Sequence, residues 1–340
     1  VYQDLQAPGQ APVELLMDFD ASYDFVDHDG PVFWFKTDLD APRSRLIAID
    51  VRNPARAQWK EIIPQGQGTL TTLSVVGDRF LVQYLQDARS QVKKYRLDGS
   101  LESEIALPGI GSAAGFGGER KDRETFYSFT SFTVPGRIYR YDLATGQASL
   151  WKEPKVAFNP DDFETRQVWV TSRDGTRLPM FVSHRKGLKL DGATPTLLYG
   201  YGGFNISLTP SFSVGNLVWM ERGGVYAVPN LRGGGEYGED WHQAGTKLRK
   251  QNVFDDFIAA ANRLTELKAE LQPSRMRMVA PGKARVTWQQ PELPSDKELD
   301  VWPFIIAHVE ENRPLLAEMA AALERPEMVF NLDYTKGFTL

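Results

Sequence analysis

The sequence predicts a β-propeller fragment of about three blades, followed by a partial α/β domain and a mostly helical C-terminal tail. Three observations lead to this fold class. One pattern of paired strands repeats three times within residues 1–155. Two later apolar strands each end in a glycine-dense turn, and the apolar residues beyond residue 264 recur at helical spacing.

The composition excludes several classes of protein. The chain has 340 residues, of which 42% are hydrophobic, so two domains with real cores are possible. The 39 basic and 44 acidic residues form no basic block, which argues against a nucleic-acid partner. No apolar run approaches the roughly 18 residues of a membrane span, so we expect a soluble chain and no membrane partner.

The chain contains no cysteine, which excludes disulfides, thiolate zinc sites and a cysteine nucleophile. This absence does not choose between a cytoplasmic and a periplasmic location. The sequence begins at Val1, with neither an initiator methionine nor a signal segment, and we expect it to be a fragment or a processed product.

The repeat in residues 1–155 consists of an aromatic strand, a turn, and a second strand that ends in an aspartate. The closing aspartates are Asp50, Asp98 and Asp142, which lie 48 and 44 residues apart. A unit of about 45 residues has the size of a four-stranded propeller blade, and a propeller needs about four to eight blades to close. Three blades would therefore leave an open ring with exposed edges. An ordinary antiparallel β-sandwich is the alternative that this pattern leaves open.

Residues 156–264 have the pattern of an α/β domain. After a polar linker, alternating runs on either side of Asp174-Gly175 predict a hairpin. Strands are predicted at 196–201 and 224–231, and an amphipathic helix begins near residue 252. Short buried strands that end in glycine loops bring those loops to the carboxyl edge of a sheet, where such folds place their sites. From the pattern alone, Tyr201 and Phe204 in the first loop also fit core aromatics beside a tight turn.

Three long motifs carry a specific resemblance. They are Tyr199-Gly200-Tyr201-Gly202-Gly203-Phe204-Asn205, Asn230-Leu231-Arg232-Gly233-Gly234-Gly235-Glu236-Tyr237-Gly238, and Gln251-Asn252-Val253-Phe254-Asp255-Asp256-Phe257. In this order they closely resemble the prolyl oligopeptidases, and the resemblance covers residues 1–264. That family joins a seven-bladed propeller to an α/β-hydrolase domain and cleaves short peptides after proline.

The resemblance implies a partial α/β-hydrolase domain at residues 156–264, short proline-containing peptides as partners, and no cofactor. Carried over by motif, Tyr201 matches the tyrosine whose hydroxyl helps to form the oxyanion hole, and Phe204 matches an aromatic that lines the substrate pocket. A donor aimed at the developing negative charge stabilises the transition state of acyl transfer.

The nucleophile of such an enzyme is missing from the sequence. An α/β-hydrolase presents it as G-x-S-x-G, and no serine here has glycine both two positions before and two positions after it. The segments that carry the family's catalytic Asp and His also have no match, and His28, His184, His242 and His308 are expected to be structural or surface residues. Tyr201 alone cannot perform acyl transfer. The sequence therefore predicts a truncated and inactive serine peptidase, with a non-catalytic remnant or peptide-binding module as the alternative.

A rival pattern lies in the second glycine loop. Residues 233–238 fit G-x-G-x-x-G, with Asp255 or Asp256 about 20 residues further on, which is the outline of a dinucleotide site. Glu236, Glu239 and Asp240 argue against it, because they put three carboxylates where a pyrophosphate would bind.

The tail at residues 265–340 resembles no family that we recognise. Its apolar spacing predicts a helix from Ser295 to about Asn312 and another from Arg313. His308 lies near several glutamates at spacings that match no standard ligand pattern, so no metal site is predicted.

Overall fold

The computed structural model describes residues 1–5, 9, 11–188 and 194–270. The predicted tail helices and His308 lie outside the described residues. The described residues form four sheets of four strands each. Three of the sheets come from the N-terminal half, and the fourth belongs to the α/β part.

The three N-terminal sheets are antiparallel and keep their strands in chain order. The first contains β1 (Tyr23–Asp29), β2 (Val32–Thr37), β3 (Arg45–Asp50) and β4 (Lys60–Ile63). The second contains β5 (Thr69–Val76), β6 (Arg79–Gln86), β7 (Arg89–Arg96) and β8 (Leu101–Ile105). The third contains β9 (Ser112–Gly117), β10 (Glu124–Thr130), β11 (Arg137–Asp142) and β12 (Ala148–Lys152).

The repeat seen in the sequence corresponds to the second and third strands of each sheet. Its closing aspartates have a common task, because each accepts backbone hydrogen bonds in the turn toward the fourth strand. Asp98 Oδ1 accepts from the Ser100 amide at 2.8 Å, and Asp142 Oδ1 accepts from the Thr145 amide at 2.8 Å. Asp50 Oδ1 likewise accepts from an amide two residues on. An aspartate that bonds its own following backbone favours a turn, which explains the residue type at these positions.

The three sheets stack in series as propeller blades. Successive side chains of a strand point to opposite faces, and β6 shows the consequence. Phe80 and Val82 pack into a core shared with the first sheet, where Phe80 meets the Trp34 ring edge-to-face at 5.0 Å. Leu81 packs into a second core shared with Tyr127 of the third sheet. A middle sheet with a core on each face is a propeller arrangement, and it rules out the β-sandwich alternative. The ring is not closed within the described residues.

The α/β part is built on one mixed sheet. Its strands are β13 (Phe163–Thr171), β14 (Arg177–Arg185), β15 (Thr196–Leu198) and β16 (Val225–Pro229), in the spatial order β13-β14-β16-β15. The predicted hairpin is confirmed as β13 and β14, and β15 runs parallel to β16. The helices are α1 (Val214–Glu221), α2 (Glu239–Gln243) and α3 (Gln251–Glu270).

Strand β16 lies between two layers of helix. All five of its residues are buried. Tyr226 and Val228 belong to the core on the side of α1, whereas Ala227 packs with Val253 and Ala260 of α3 on the other side. The period of two along the strand therefore places one helix on each face of the sheet.

Several details differ from the sequence prediction. Strand β15 ends at Leu198 rather than near residue 201, because the chain turns into its first glycine loop there. Helix α1 was not predicted. Helix α3 continues past residue 264 and packs against the core of the sheet through Val253, Phe257 and Ala260, whereas Ile258 is exposed. None of the helices just described is both long and apolar enough to cross a membrane.

The tip of the β6–β7 hairpin joins the blades to the α/β part. Asp87 and Ala88 both have positive φ, at 52° and 63°. Ala88 is completely buried, in the core on the α1 side of the sheet. Asp87 Oδ1 accepts a hydrogen bond from the Tyr237 hydroxyl at 3.0 Å. The middle blade is thereby anchored to the second glycine loop.

The outer face of the third sheet carries exposed apolar side chains. Phe126 and Trp151 lie edge-to-face with their ring centroids 5.6 Å apart, and Ile138 on the same face is also exposed. In a closed propeller the next blade would cover such a face. A contiguous exposed apolar patch promotes association.

We therefore expect the apparent mass of the wild-type chain to rise with protein concentration, and the variant Trp151→Ser to reduce that rise. Multi-angle light scattering over a hundredfold dilution measures the effect. Trp169→Ser is the matched control, because the Arg177 guanidinium already covers the exposed Trp169 ring at 4.7 Å. A wild-type chain that stays monomeric at every concentration would contradict the expectation.

Candidate functional site

The candidate site is formed by two loops that leave neighbouring strands. The first glycine loop is Tyr199–Asn205, after β15, and the second glycine loop is Asn230–Gly238, after β16. Because β15 and β16 are parallel neighbours, their carboxyl ends lie at the same edge of the sheet. The two loops are in direct contact there, since the Asn205 amide donates to the Gly233 carbonyl at 3.1 Å.

Two glycines make this contact possible. Gly202 has φ +61°, and a Cβ at this position would lie 2.4 Å from Val253 Cγ1 of α3. Gly233 has φ +92°, and a Cβ there would lie 2.6 Å from the Gly202 carbonyl oxygen. A side chain at either position would be both strained and sterically blocked. The glycine-rich composition thus allows the two loop backbones and α3 to approach each other closely.

Two side chains fix the first glycine loop from outside. Lys250 Nζ donates to the Gly202 carbonyl at 2.6 Å, and burial lowers the pKa of this lysine. His242 Nδ1 lies 2.9 Å from the Gly233 carbonyl oxygen and 3.1 Å from the Asn205 amide nitrogen. His242 is therefore structural, as expected from the sequence. The role of Lys250 was missed, because nothing in its local sequence shows which carbonyl it reaches.

Tyr201 and Phe204 lie side by side on this loop. Their ring centroids are 6.5 Å apart and the rings are inclined by 32°. Tyr201 is half-buried, and its hydroxyl has no hydrogen-bond partner among the described residues. Phe204 is 74% exposed and has φ +52°. Phe204 is therefore not a core aromatic. Together the residues present a phenolic donor and an apolar ring at the surface.

A buried ion pair supports the second glycine loop from behind. The Arg232 side chain is 5% exposed and the Asp256 side chain is 0% exposed, and Arg232 Nη2 lies 2.6 Å from Asp256 Oδ1. Asp256 Oδ2 also accepts from the Arg232 amide at 3.0 Å. Arg232 reaches the β13–β14 turn as well, where its hydrogen bond lowers the pKa of Asp174 to about 2. One guanidinium thereby joins the loop, the hairpin and α3.

The same pair argues against the dinucleotide alternative. A ribose-binding acid must be free to accept from the sugar hydroxyls, whereas Asp256 is fully buried against Arg232. Glu236, at the position expected for a pyrophosphate, is buried as well. The glycines of this loop serve close backbone packing rather than a phosphate.

The three histidines of the described ranges have structural surroundings. His28 lies in a blade turn with Nδ1 3.1 Å from the Gly30 carbonyl oxygen. His184 is buried in β14 with Nδ1 2.9 Å from the Arg185 carbonyl oxygen. Within these ranges, no serine forms a hydrogen bond with His28, His184 or His242. In the same part of the chain, no group of three or more His, Asp or Glu side chains is arranged to hold a metal ion.

Comparison with known families identifies two regions of the chain. The model of the prolyl oligopeptidase N-terminal β-propeller domain matches residues 1–154. The model of the prolyl oligopeptidase family matches residues 210–282. The first region contains the three blades, and the second contains the second glycine loop.

Curated relatives and solved structures agree with these matches. The chain is 48% identical over 252 residues to a prolyl endopeptidase of Elizabethkingia meningoseptica, and the alignment covers 74% of the chain and 36% of the relative. It is 38% identical over 267 residues to a prolyl endopeptidase of Dictyostelium discoideum, covering 74% of the chain and 35% of the relative.

Among solved structures, one comes from a structural and mechanistic study of two prolyl endopeptidases and of inter-domain dynamics in catalysis and specificity. It matches with a TM-score of 0.70 and 46% identity, covering 75% of this chain and 38% of that one. Prolyl oligopeptidase B of Galerina marginata, bound to a 35mer hydrolysis and macrocyclization substrate, matches with a TM-score of 0.70 and 33% identity, covering 76% of this chain and 37% of that one. The chain thus spans little more than a third of the length of these relatives.

Proposed function

Because the chain belongs to the prolyl oligopeptidase family, we propose that it carries the peptide-positioning part of a serine-type endopeptidase that cleaves short peptides after proline. In this role the Tyr201 hydroxyl donates to the oxyanion that develops during acyl transfer. The Phe204 ring packs against the proline of the substrate. The blades admit only short peptides to the site.

The observation that supports these roles best is the arrangement of Tyr201 and Phe204. Both project from a loop whose backbone is held by Gly202, Lys250 and the second glycine loop. A donor stabilises a transition state only if its position is fixed before the reaction, which is what this support provides. The Tyr201 hydroxyl has no competing partner in the described part of the chain, so it is available to a substrate.

Cleavage needs a nucleophile and a base within hydrogen-bond reach of each other. The sequence has no G-x-S-x-G segment, and the described histidines have structural surroundings. We therefore propose that the 340-residue chain by itself binds proline-containing peptides weakly and does not cleave them.

A fluorophosphonate probe tests the catalytic half of this proposal. We expect no serine of the purified chain to become labelled, and no hydrolysis of a short chromogenic peptide with proline before the scissile bond. A purified full-length prolyl endopeptidase serves as the positive control for both assays. Covalent labelling of a serine, together with hydrolysis that the probe abolishes, would overturn the proposal that the chain is inactive.

A second candidate function is a peptide-binding module with no catalytic partner. It is favoured by the absence of a nucleophile combined with an exposed Phe204. Translating the neighbouring DNA in all frames separates the two candidates. Further blades upstream and a G-x-S-x-G segment downstream would support the endopeptidase, and finding neither would support the binding module.

A further inference from the structure

Two buried polar atoms in the second glycine loop have no hydrogen-bond partner among the residues that the structure describes. They are Glu236 Oε2 and Asn230 Oδ1. Glu236 is 1% exposed and Asn230 is 0% exposed, so bulk water does not reach either side chain. An unsatisfied polar atom at such depth costs on the order of 1–3 kcal/mol, and an unpaired buried charge costs more. The arrangement therefore needs an explanation.

The remaining atoms of the two side chains are fully occupied. Glu236 Oε1 accepts from the Leu208 amide at 2.9 Å and from Asn230 Nδ2 at 3.2 Å. Asn230 Nδ2 also donates to the Leu208 carbonyl at 2.6 Å. That short contact fixes the orientation of the amide, because the flipped form would bring Oδ1 against the Leu208 carbonyl oxygen. Asn230 Oδ1 is thus held as an acceptor to which no described residue donates.

Charged groups do not compensate a carboxylate at this position. The hydrogen-bond donors to Glu236 are neutral, and desolvation by burial, rather than an ion pair, has the largest effect on its carboxyl. The titratable group that faces it is Tyr237, whose hydroxyl donates to Asp87 and whose ring lies 5.4 Å from the Arg43 guanidinium. The Trp241 indole, from α2, is a further neutral donor that faces the carboxyl, and its Nε1 donates to the Leu231 carbonyl at 3.1 Å. Because the charged form is desolvated, burial raises the pKa of Glu236 above its usual range.

We propose that Glu236 is a neutral carboxylic acid whose Oε2 proton is donated to Asn230 Oδ1. The two side chains then form a cyclic acid–amide pair, with Asn230 Nδ2 donating to Oε1 and Oε2 donating to Oδ1. One proton satisfies both of the orphaned atoms. The pair holds the amide and the carbonyl of Leu208, and so fixes the chain just beyond the first glycine loop. This protonation state does not depend on the proposed peptidase function.

A neutral Glu236 in the folded chain makes the stability of the fold depend on pH. The pKa of this carboxyl is higher in the folded than in the unfolded chain, so the folded chain keeps a proton that the unfolded chain releases above a pH of about 4.3. Its stabilising contribution is complete below that pH and is lost as pH rises toward the folded pKa. Within this window the unfolding equilibrium constant should rise by up to about tenfold per pH unit from this group alone.

Equilibrium unfolding of the full chain in urea between pH 4.5 and about 8.5 tests the proposal. Glu236→Gln places a neutral amide in the same space, so we expect it to match the wild type at the acidic end. It should be more stable than the wild type at the alkaline end. Glu221→Gln, at an exposed position on α1, is the matched control and should leave the dependence of the unfolding free energy on pH unchanged. The proposal is overturned if the unfolding free energy of Glu236→Gln falls with pH as steeply as that of the wild type. It is also overturned if the variant is less stable than the wild type at every pH.

Infrared spectroscopy gives a second measurement that needs no variant. Wild-type chain with ¹³C-labelled glutamate carboxyls should show a shifted carboxylic-acid carbonyl band at pH 7 that disappears on unfolding in urea. If every glutamate absorbs as carboxylate in the folded chain at pH 7, the acid–amide pair is ruled out.

Discussion

Replacing Asp256 by alanine is expected to lower the free energy of unfolding by about 3–5 kcal/mol. The substitution leaves the Arg232 guanidinium buried without its main partner, and it also removes the acceptor of the Arg232 amide. The remaining contact to Asp174 is half-exposed and cannot replace a fully desolvated carboxylate. Urea unfolding followed by tryptophan fluorescence measures the loss.

The neighbouring variant Asp255→Ala is the matched control. Its carboxylate accepts from Gln251 Nε2 at the protein surface, so its removal should cost at most about 0.5 kcal/mol. The double variant Arg232→Met, Asp256→Ala removes both charges and should be more stable than Asp256→Ala alone. A loss below about 1 kcal/mol for Asp256→Ala would show that the pair is not a structural centre of the loop.

Gly202→Ala is expected to destabilise the chain by about 2–5 kcal/mol. Part of this comes from the positive φ, which costs an alanine about 1–2 kcal/mol. The remainder comes from overpacking, because the new methyl group would lie 2.4 Å from Val253 Cγ1 and 2.9 Å from the Arg232 carbonyl oxygen. The backbone of both glycine loops would have to move, so the separation of Tyr201 and Phe204 should change as well.

Gly215→Ala provides the contrast for this prediction. Gly215 lies in α1, where an added Cβ would have only the Ser213 hydroxyl nearby, at 3.8 Å. Alanine favours a helix over glycine, so this variant should be neutral or more stable by about 0.5–1 kcal/mol. Thermal unfolding of the three proteins, combined with near-ultraviolet circular dichroism of the aromatic residues, compares them. Equal stability of the two variants would contradict the account of close loop packing.

The sequence predicted those parts of the fold that depend on local periodicity. The repeated strand pairs of the blades, the aspartates that close their turns, and the Asp174-Gly175 hairpin all follow from properties of adjacent residues. Helix α1 was missed because its burial is limited to Leu217 and Met220, which is too weak a pattern to separate from a loop.

The candidate site was predictable only in part, for a physical reason. The two glycine loops were visible as strand ends, and the family motif assigned roles to Tyr201 and Phe204. The contacts that hold them join residues distant in sequence, such as Lys250 Nζ to the Gly202 carbonyl, 48 positions apart. Asp256 also fitted the acid of a dinucleotide site by its spacing, but tertiary packing buries it against Arg232. Such pairs arise from how the elements approach one another, which residue type alone does not determine.

The peptide-positioning role of the first glycine loop is tested most directly by saturation-transfer NMR of the full chain with a short proline-containing peptide. We predict saturation transfer from the protein to the proline ring protons, lost in Phe204→Ala and retained in Phe19→Ala, which removes a different exposed phenylalanine. Tyr201→Phe should retain the transfer, because its hydroxyl acts on the transition state rather than on the bound peptide. Transfer of equal strength in the wild type and in Phe204→Ala would contradict the assignment of this loop as the peptide-binding site.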